Sequence, residues 1–380
     1  MESVHISQVI LHIIDASLKT PFTTSFGTME SKEVCIVEVI DQSGISGWGE
    51  TVTSNDPDYN EETTFTAVHT LKKFLIPAVL NRDITHPNEV FNQFKFIKRN
   101  HMAKAAIETA IWDVFAKKNE KPLYEIMGGV KQQIEVGKSI GIQKTPDHLV
   151  DRVEQFVNEG FKKIKVKIAP GFDSEYLNAV RKKFPDIPLM ADANSAYSLK
   201  DMEDLKKLDD YRLIMIEQPL AHDDIIDHAH LQKNIETPIC LDESVYSFET
   251  AKKAIELGSG RIINIKIGRV GGLGEAIKIH DLCQEHNIPV WCGGMLETGI
   301  GRAHNIQITT LPNFTIPGDT APSQHYWEED IISPEVVMDQ GIIHIPQGTG
   351  IGYEVDRKKI NKKLITSINF VEEKSLAGSF

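Results

Sequence analysis

The chain has 380 residues, of which 41% are hydrophobic and 25% are charged; this is the composition of a soluble globular protein long enough for two domains, or for one large barrel with an extra lobe. Its formal net charge of -13 argues against nucleic acid or an anionic membrane as the main partner. The four cysteines show no CxxC or zinc-like spacing, and no segment has the length of a membrane span or the pattern of a signal peptide, so the expected location is the reducing cytoplasm.

The first 50 residues predict three antiparallel strands. Residues 4–16 form the first, a polar loop covers 17–32, and residues 33–41 and 43–50 form a hairpin that turns at Ser43 and Gly44. Helices follow, of which residues 102–119 give the clearest amphipathic pattern. We therefore predict an α+β domain over residues 1–130.

From about residue 134 short apolar runs alternate with segments of helical period, which is typical of a parallel sheet. Eight such runs occur before residue 320, and eight is the strand count of a closed (β/α)8-type barrel. A doubly wound open sheet also fits the alternation, but no glycine-rich phosphate loop follows the first strand. We predict an α/β barrel over residues 131–322, with a C-terminal segment, 323–380, that packs back on the N-terminal domain and completes an α+β cap.

Five charged residues lie near the carboxyl ends of successive predicted barrel strands. Their spacings are 25, 25, 25 and 24 residues, which is one βα unit each time; they are Lys167, Asp192, Glu217, Asp242 and Lys266. In such barrels the loops at the carboxyl ends of the strands build the active site. A structural ion-pair network is the alternative, but burying five charges at one level costs several kcal/mol per ion unless a metal or ligand compensates.

The angular order of these strands indicates a chemistry. On strands 2 and 6 of eight, Lys167 and Lys266 face each other across the barrel mouth, with three carboxylates on the arc between them. Hard oxygen ligands of this kind suit a divalent cation, Mg²⁺ above all. A cation and a second ammonium would lower the pKa of a lysine that acts as a base. The predicted reaction is proton abstraction next to a substrate carboxylate.

The motifs on these strands resemble the muconate-lactonizing subgroup of the enolase superfamily, in which a lysine base and Mg²⁺ act together. They are KVK (165–167), MADAN (190–194), IEQP (216–219), CLDES (240–244) and NIKIGRVGGL (264–273). The first 125 residues are similar to that superfamily's capping domain. The segments LKTPFTTSFG, GWGE, WCGGMLETGIGRAHN (291–305) and LPNFTIPGD (311–319) resemble the o-succinylbenzoate synthase and N-acylamino acid racemase family.

The resemblance implies a role for each of the five residues. Asp192, Glu217 and Asp242 would bind Mg²⁺, with Mn²⁺ as a substitute; Lys167 would be the base on one face of the substrate carbon, and Lys266 would lie on the opposite face. In a syn dehydration of menaquinone biosynthesis Lys167 takes the proton and Lys266 is an electrostatic partner, whereas in racemisation both lysines act in turn. The substrate would be a small carboxylate, and the protein a homo-oligomer.

Further residues receive expected roles near this centre. Ser139, Lys165, Gly293, Gly294 and Met295 are predicted to contact substrate, and Asn194 and Glu243 to orient the metal ligands. Arg269 either adjusts the charge of Lys266 or forms an ion pair on the surface. Phe22 and Phe26 lie in a loop that either closes over the site or simply packs.

Several other functions remain open at this stage. A Schiff-base aldolase also has a lysine on strand 6 but needs no metal, and a non-catalytic binding protein would not need Lys167. Mandelate-racemase-like enzymes would have a histidine on strand 7, where this chain has PVWCGGM. Dipeptide epimerases would have Asp-x-Asp near strand 8, where only Asp319 is found, and muconate cycloisomerase matches the strand 7 segment less well.

Overall fold

The computed structural model of the chain describes residues 1–23 and 28–371. In chain order, its strands are β1 (Val4–Thr23), β2 (Thr28–Asp41), β3 (Ser46–Glu50), β4 (Asp83–Ile84), β5 (Gln133–Glu135), β6 (Gly137–Ile140), β7 (Lys163–Lys167), β8 (Leu189–Asp192), β9 (Ile216–Glu217), β10 (Ile239–Leu241), β11 (Ile262–Ile265), β12 (Val290–Cys292), β13 (Ile332–Ser333), β14 (Ile342–His344), β15 (Glu354–Val355) and β16 (Leu364–Val371).

The α-helices, in chain order, are α1 (Thr64–Thr70), α2 (Ile76–Val79), α3 (Val90–Gln93), α4 (His101–Lys118), α5 (Leu123–Met127), α6 (Pro146–Asn158), α7 (Ser174–Lys183), α8 (Met202–Lys207), α9 (Ile226–Gln232), α10 (Phe248–Leu257), α11 (Ile267–Val270), α12 (Leu273–Glu285), α13 (Gly299–Ile308) and α14 (Arg357–Lys363). A π-helix covers Leu71–Leu75, and short 3₁₀ turns cover Pro87–Glu89, Leu199–Asp201, Leu208–Tyr211 and Ser323–His325. Within the described ranges, none of these helices has the length and apolar character needed to cross a bilayer.

The N-terminal part is built on an antiparallel sheet with the strand order β16-β1-β2-β3, and β4 pairs with β1. The predicted hairpin is present, and its turn places Gly44 at a φ of 86°. The predicted loop at 17–32 is wrong in most of its length, because Ser17 pairs with Ser31 and Phe22 with Met29. Threonine and phenylalanine, which both occur in this segment, favour strands.

Helix α4 covers the predicted helical segment but is not amphipathic, since every residue from 102 to 116 is buried. The antiparallel sheet covers one side of α4 and the barrel covers the other. Its carboxylates point into this second contact: Glu108 accepts hydrogen bonds from the backbone N–H groups of Leu273 and Gly274, both at 2.8 Å. The polar positions that suggest a solvated face are therefore contacts between the two parts of the molecule.

The second part is an α/β barrel whose parallel sheet has the order β6-β7-β8-β9-β10-β11-β12. Two isolated bridges close the barrel: Val290 pairs with Phe314, and Val136 pairs with Gly318. The eighth predicted strand is thus an irregular segment in the eighth position. Pro317 explains the irregularity, because proline has no N–H to donate to a ladder.

The tail after the barrel divides its pairing between both parts. Strand β14 pairs with β5 beside the barrel, β13 pairs with β15, and β16 pairs with β1 over Gln8–Ile14. The cap is therefore formed by the N-terminal region and the last described strand.

Candidate active site

The five regularly spaced residues meet at the carboxyl ends of adjacent parallel strands. Lys167 ends β7, Asp192 ends β8 and Glu217 ends β9, and the strand register aligns these three residues side by side. Asp242 directly follows β10, and Lys266 directly follows β11. Five consecutive strands thus deliver one charged side chain each to the same edge of the barrel.

A cavity of about 1120 Å³ lies over this edge. Its barrel wall includes the amines of Lys165, Lys167 and Lys266, and its roof includes Tyr59 from the N-terminal part. Because both parts of the molecule supply wall residues, the cavity depends on their contact. It is large enough for a substrate with two arms.

Lys167 is anchored to the predicted metal-binding side chains. Its Nζ lies 2.7 Å from Oδ2 of Asp192 and also donates to Oδ1 of Asn194. The backbone N–H of Asn194 donates to Asp192 at 3.1 Å, and its side-chain amide donates to Glu243 at 3.1 Å. Asn194 therefore links Asp192 to Glu243, which is the arrangement expected of a residue that orients a ligand.

Lys165 lies between three carboxylates. Its Nζ is 3.3 Å from Asp192, 3.2 Å from Glu217 and 2.8 Å from Asp319. Burial opposes its charge, but the three carboxylates together raise the pKa of Lys165 well above its ordinary value. Lys165 is thus a fixed cation at the floor of the cavity.

Lys266 contacts both parts of the molecule. Its Nζ is 2.7 Å from Oδ2 of Asp242 and 3.0 Å from the hydroxyl of Tyr59. Burial would lower the pKa of Lys266, but Tyr59, Glu217 and Glu243 outweigh burial and raise it above its ordinary value. In this arrangement Lys266 is an ammonium group.

Arg269 is buried and forms an ion pair with Asp242. Its Nε donates to the carbonyl of Val245 at 2.9 Å. The alternative of a surface ion pair is wrong, because Arg269 is 4% exposed and also donates to the backbone carbonyl of Asn264 on β11. Asp242 is consequently shared by a lysine and an arginine.

Asp192, Glu217 and Asp242 supply carboxylate oxygens, which are the ligands that a divalent cation prefers. In this structure lysine ammonium groups contact those oxygens. Asp192 and Glu217 are buried side by side; burial and the charge of Asp192 raise the pKa of Glu217, and a bound cation would relieve that crowding. As the side chains stand, no group of three His, Cys, Asp or Glu in residues 1–23 and 28–371 is arranged to hold a metal ion. A cation would take the place of the lysine ammonium groups, Lys165, Lys167 and Lys266, as the partner of the three carboxylates.

The predicted substrate-binding residues divide into two groups. Ser139, Gly294 and Met295 line the cavity, and Oγ of Ser139 is buried without a hydrogen-bond partner among the described residues. Gly293 is not part of the lining. A side chain there would lie 2.4 Å from Asn264 and 2.8 Å from Lys266, so glycine at 293 leaves room for neighbouring side chains.

Sequence reasoning missed two residues of this centre. Tyr59 contacts Lys266, and Asp319, which was weighed only as half of an epimerase motif, holds Lys165. Asp319 follows the irregular eighth segment, so counting two more βα units after Lys266, which carries the count 53 residues further, could have found it. Phe26 and the side chain of Phe22 lie outside the described residues.

Comparisons with known proteins follow the same division of the chain. Residues 148–359 match the family described as enolase C-terminal domain-like, and residues 7–128 match the mandelate racemase / muconate lactonizing enzyme N-terminal domain. The chain is 57% identical to o-succinylbenzoate synthase of Geobacillus stearothermophilus over 95% of this chain and 96% of that protein.

Two further relatives widen the comparison. N-succinylamino acid racemase of Thermus thermophilus is 46% identical over 90% of this chain and 92% of its own length. A solved structure of an enolase superfamily member from Listeria innocua superimposes with a TM-score of 0.95 at 43% identity, covering 97% of this chain and 99% of that one.

Proposed function

Because this chain belongs to the mandelate racemase and muconate lactonizing enzyme family of the enolase superfamily, we propose that it is a Mg²⁺-dependent o-succinylbenzoate synthase. The reaction is the syn dehydration of 2-succinyl-6-hydroxycyclohexadiene carboxylate in menaquinone biosynthesis. Its 57% identical relative carries the name of this activity. Enzymes of this kind in the superfamily generally depend on a divalent metal, and the cation here is proposed to be Mg²⁺ with Mn²⁺ as a substitute.

The observation that carries the proposal is the placement of two amines in one cavity. Lys167 and Lys266 come from β7 and from the residue after β11, four strands apart, and both line the same space. Each is paired with a carboxylate of the predicted metal site, Asp192 or Asp242, at 2.7 Å. A substrate carbon between the amines is within reach of proton transfer on either face.

The chain's own residues account for the proton movements of a dehydration. Lys167 acts as the base and takes the proton from the carbon that bears the carboxylate. The negative charge spreads into that carboxylate, beside the ammonium groups of Lys165 and Lys266. Lys167 then returns the proton to the departing hydroxyl, and water and the aromatic product are formed. A divalent cation held by Asp192, Glu217 and Asp242 would supply further stabilisation of that charge.

Racemisation of N-succinylamino acids is a second candidate, and the facing amines favour it. If Lys167 removes a proton from one face and Lys266 supplies one to the other, the configuration of the carbon inverts. Both reactions pass through the same charge distribution, so one site could support both. The relative from Thermus thermophilus bears the name of this second activity.

The test is a pair of assays on one purified sample with Mg²⁺: dehydration of the cyclohexadiene substrate, and deuterium exchange with racemisation of an N-succinylamino acid. We expect Lys167→Ala to lower the rate of both reactions by about 10²- to 10⁴-fold, the usual contribution of a general base. Lys266→Ala should abolish racemisation and leave exchange on one face. Lys200→Ala, at an exposed lysine that is not part of the cavity lining, is the control.

A wild-type sample that performs neither reaction with Mg²⁺ or Mn²⁺ contradicts the proposal. Trapping of a carbonyl substrate by borohydride at Lys266 would support the aldolase instead. A homo-oligomeric, cytoplasmic enzyme remains part of the proposal, and size-exclusion chromatography with light scattering measures the first of these properties.

A further inference from the structure

Lys138 is a buried cation that the proposed reaction does not use. It lies on β6, and strand alternation turns it toward the helices while Ser139 turns toward the barrel interior. The residue is 7% exposed, and its Nζ lies 5.2 Å from the ring centre of Phe156 and 4.7 Å from that of Tyr326. Within the described part of the chain, no hydrogen-bond acceptor or carboxylate pairs with this ammonium.

The charges around Lys138 leave an excess of positive charge. Arg152 also lies over the ring of Phe156, 4.8 Å from the ring centre, and Arg302 lies over the ring of Tyr326 at 4.4 Å. The two carboxylates nearby are engaged elsewhere: Glu159 lies 3.2 Å from His325, and Asp319 pairs with Lys165.

This excess of positive charge affects the pKa of Lys138. Burial, together with the charges of Arg302 and Arg152, lowers the pKa of Lys138 to about 7, and Asp319 only partly opposes them. A buried ammonium without an acceptor is unfavourable, whereas an anion beside it would form a charge-assisted hydrogen bond and offset both the desolvation cost and the repulsion from the arginines.

Lys138 is also part of the wall of the reaction cavity. The same cavity of about 1120 Å³ is lined by Lys167 and Lys266 and also by Lys138, Arg152 and Tyr326. Ser139, whose buried hydroxyl has no partner among the described residues, follows Lys138 on β6 and is in register with Lys165 on β7. One cavity therefore contains the two amines, a free hydroxyl and an unpaired cation.

We propose that Lys138, assisted by Arg152, binds the second carboxylate of a dicarboxylate substrate, the one remote from the reacting carbon. This inference rests on the proposed function, because both candidate substrates carry a succinyl arm that ends in such a carboxylate. The rings of Phe156 and Tyr326 would enclose the methylene groups of the arm, and Ser139 would donate to its carbonyl oxygen.

The first test measures equilibrium binding, so it does not depend on turnover. The probes, in the presence of Mg²⁺, are o-succinylbenzoate and 2-butyrylbenzoate, which has a methyl group in place of the remote carboxylate. We expect Lys138→Met to weaken the binding of o-succinylbenzoate by about 10- to 100-fold, the range for a lost charged hydrogen bond. Binding of 2-butyrylbenzoate should change by less than about twofold, as expected when no charged partner is lost.

The conservative variant separates charge from packing. Lys138→Arg should retain most of the preference for o-succinylbenzoate, since it keeps a cation in the same place. Lys138→Met should fold, with an unchanged or higher melting temperature, because it removes an unpaired buried charge. If that variant fails to fold, Lys138→Gln is measured in its place.

The second test compares kcat and KM for one amino acid carrying an N-succinyl or an N-butyryl group. Lys138→Met should raise KM for the N-succinyl substrate and leave both constants for the N-butyryl substrate unchanged. Equal effects on the two probes, or no effect on either, would overturn the proposal. So would a wild-type protein that binds 2-butyrylbenzoate as tightly as o-succinylbenzoate.

Failure of the carboxylate-site proposal can be distinguished from failure of the proposed function. If the wild-type protein catalyses neither reaction but shows a binding preference that depends on Lys138, the result supports the carboxylate site and contradicts the proposed reaction. If the enzyme is active but its binding preference does not change in the Lys138 variants, the result supports the proposed reaction and contradicts the carboxylate site.

Discussion

Among the side chains at the barrel mouth, Lys266 depends most on a residue from the other part of the molecule. The hydroxyl of Tyr59 lies 3.0 Å from Nζ of Lys266 and 3.4 Å from Oδ2 of Asp242. Asp242 is also held by Arg269. Tyr59 therefore fixes the ammonium against a carboxylate that is shared with another cation, and we regard it as a positioning residue.

Tyr59→Phe should lower kcat of racemisation by about 10- to 100-fold, which corresponds to one hydrogen bond to a charged group. KM should change little, because the ring and its packing are retained. The effect on dehydration should be smaller, since that reaction leaves Lys266 as an electrostatic partner. Steady-state kinetics of both reactions on one preparation provide the comparison.

Tyr353→Phe is the matched control, because Tyr353 lies outside the cavity lining. An unchanged kcat for racemisation in Tyr59→Phe would show that Asp242 and Arg269 suffice to position Lys266.

The difference between the residues that could and could not be predicted is physical. The even spacing from Lys167 to Lys266 predicts a common edge, because each βα unit returns the chain to the same end of the barrel. Tyr59 obeys no such period, since it reaches the site only through the contact between the cap and the barrel. The unpaired state of Lys138 is equally invisible in sequence, because it follows from which carboxylates find other partners.

At the scale of whole elements, the carboxylates that join the two parts were the least predictable feature. Helix α4 was expected to expose its polar side, but Glu108 caps the start of α12 and Asp113 accepts hydrogen bonds from Trp48 and Ile351. The sequence pattern of a helix shows which of its faces is polar, but it does not show whether that face contacts solvent or another part of the protein. The parallel strands were predictable because two signals indicate the same boundaries: the apolar runs themselves, and the charged residues that recur near the carboxyl ends of five of them.

Strand β3 holds the start of α13 through one buried carboxylate. Glu50 accepts hydrogen bonds from the backbone N–H groups of Thr298 at 3.0 Å and Gly301 at 3.1 Å. Burial raises the pKa of Glu50 to about 7, with Lys32 and Thr298 opposing the shift. Between about pH 4.5 and pH 7 the folded protein therefore keeps a proton on Glu50 that the unfolded chain has lost.

This difference predicts a pH dependence of stability. The contribution of the raised pKa is fully present below about 4.5, the ordinary value for Glu50, and is lost as pH rises through about 7. Compared with Glu50→Gln, which does not titrate, the free energy of unfolding of the wild type should fall by about 2 kcal/mol between pH 5 and pH 7.5. Urea unfolding at both pH values measures it.

Glu203→Gln is the control, because Glu203 is exposed and pairs only with Lys206 on the surface. A difference between wild type and Glu50→Gln that is constant with pH would mean that Glu50 is ionised in the folded protein.

For the molecule as a whole, the charged centre couples ligand binding to the contact between its two parts. The carboxylates lie on the barrel, Tyr59 comes from the cap, and the cavity exists only between them. Because a cation that binds the folded chain alone stabilises it by mass action, the proposed metal should be measurable without any substrate.

Mg²⁺ at about one hundred times its dissociation constant should stabilise the wild type by about 2.7 kcal/mol, raise its melting temperature, and lose that effect on addition of EDTA. Asp192→Asn should abolish the Mg²⁺-dependent rise, because Asp192 is a proposed ligand. The rise within each variant is compared, and not the melting temperatures themselves, since Asp192 also pairs with Lys167 and Lys165. Asp204→Asn, at an exposed carboxylate, should keep the full rise; an Asp192→Asn variant that keeps it too would remove Asp192 from the metal site.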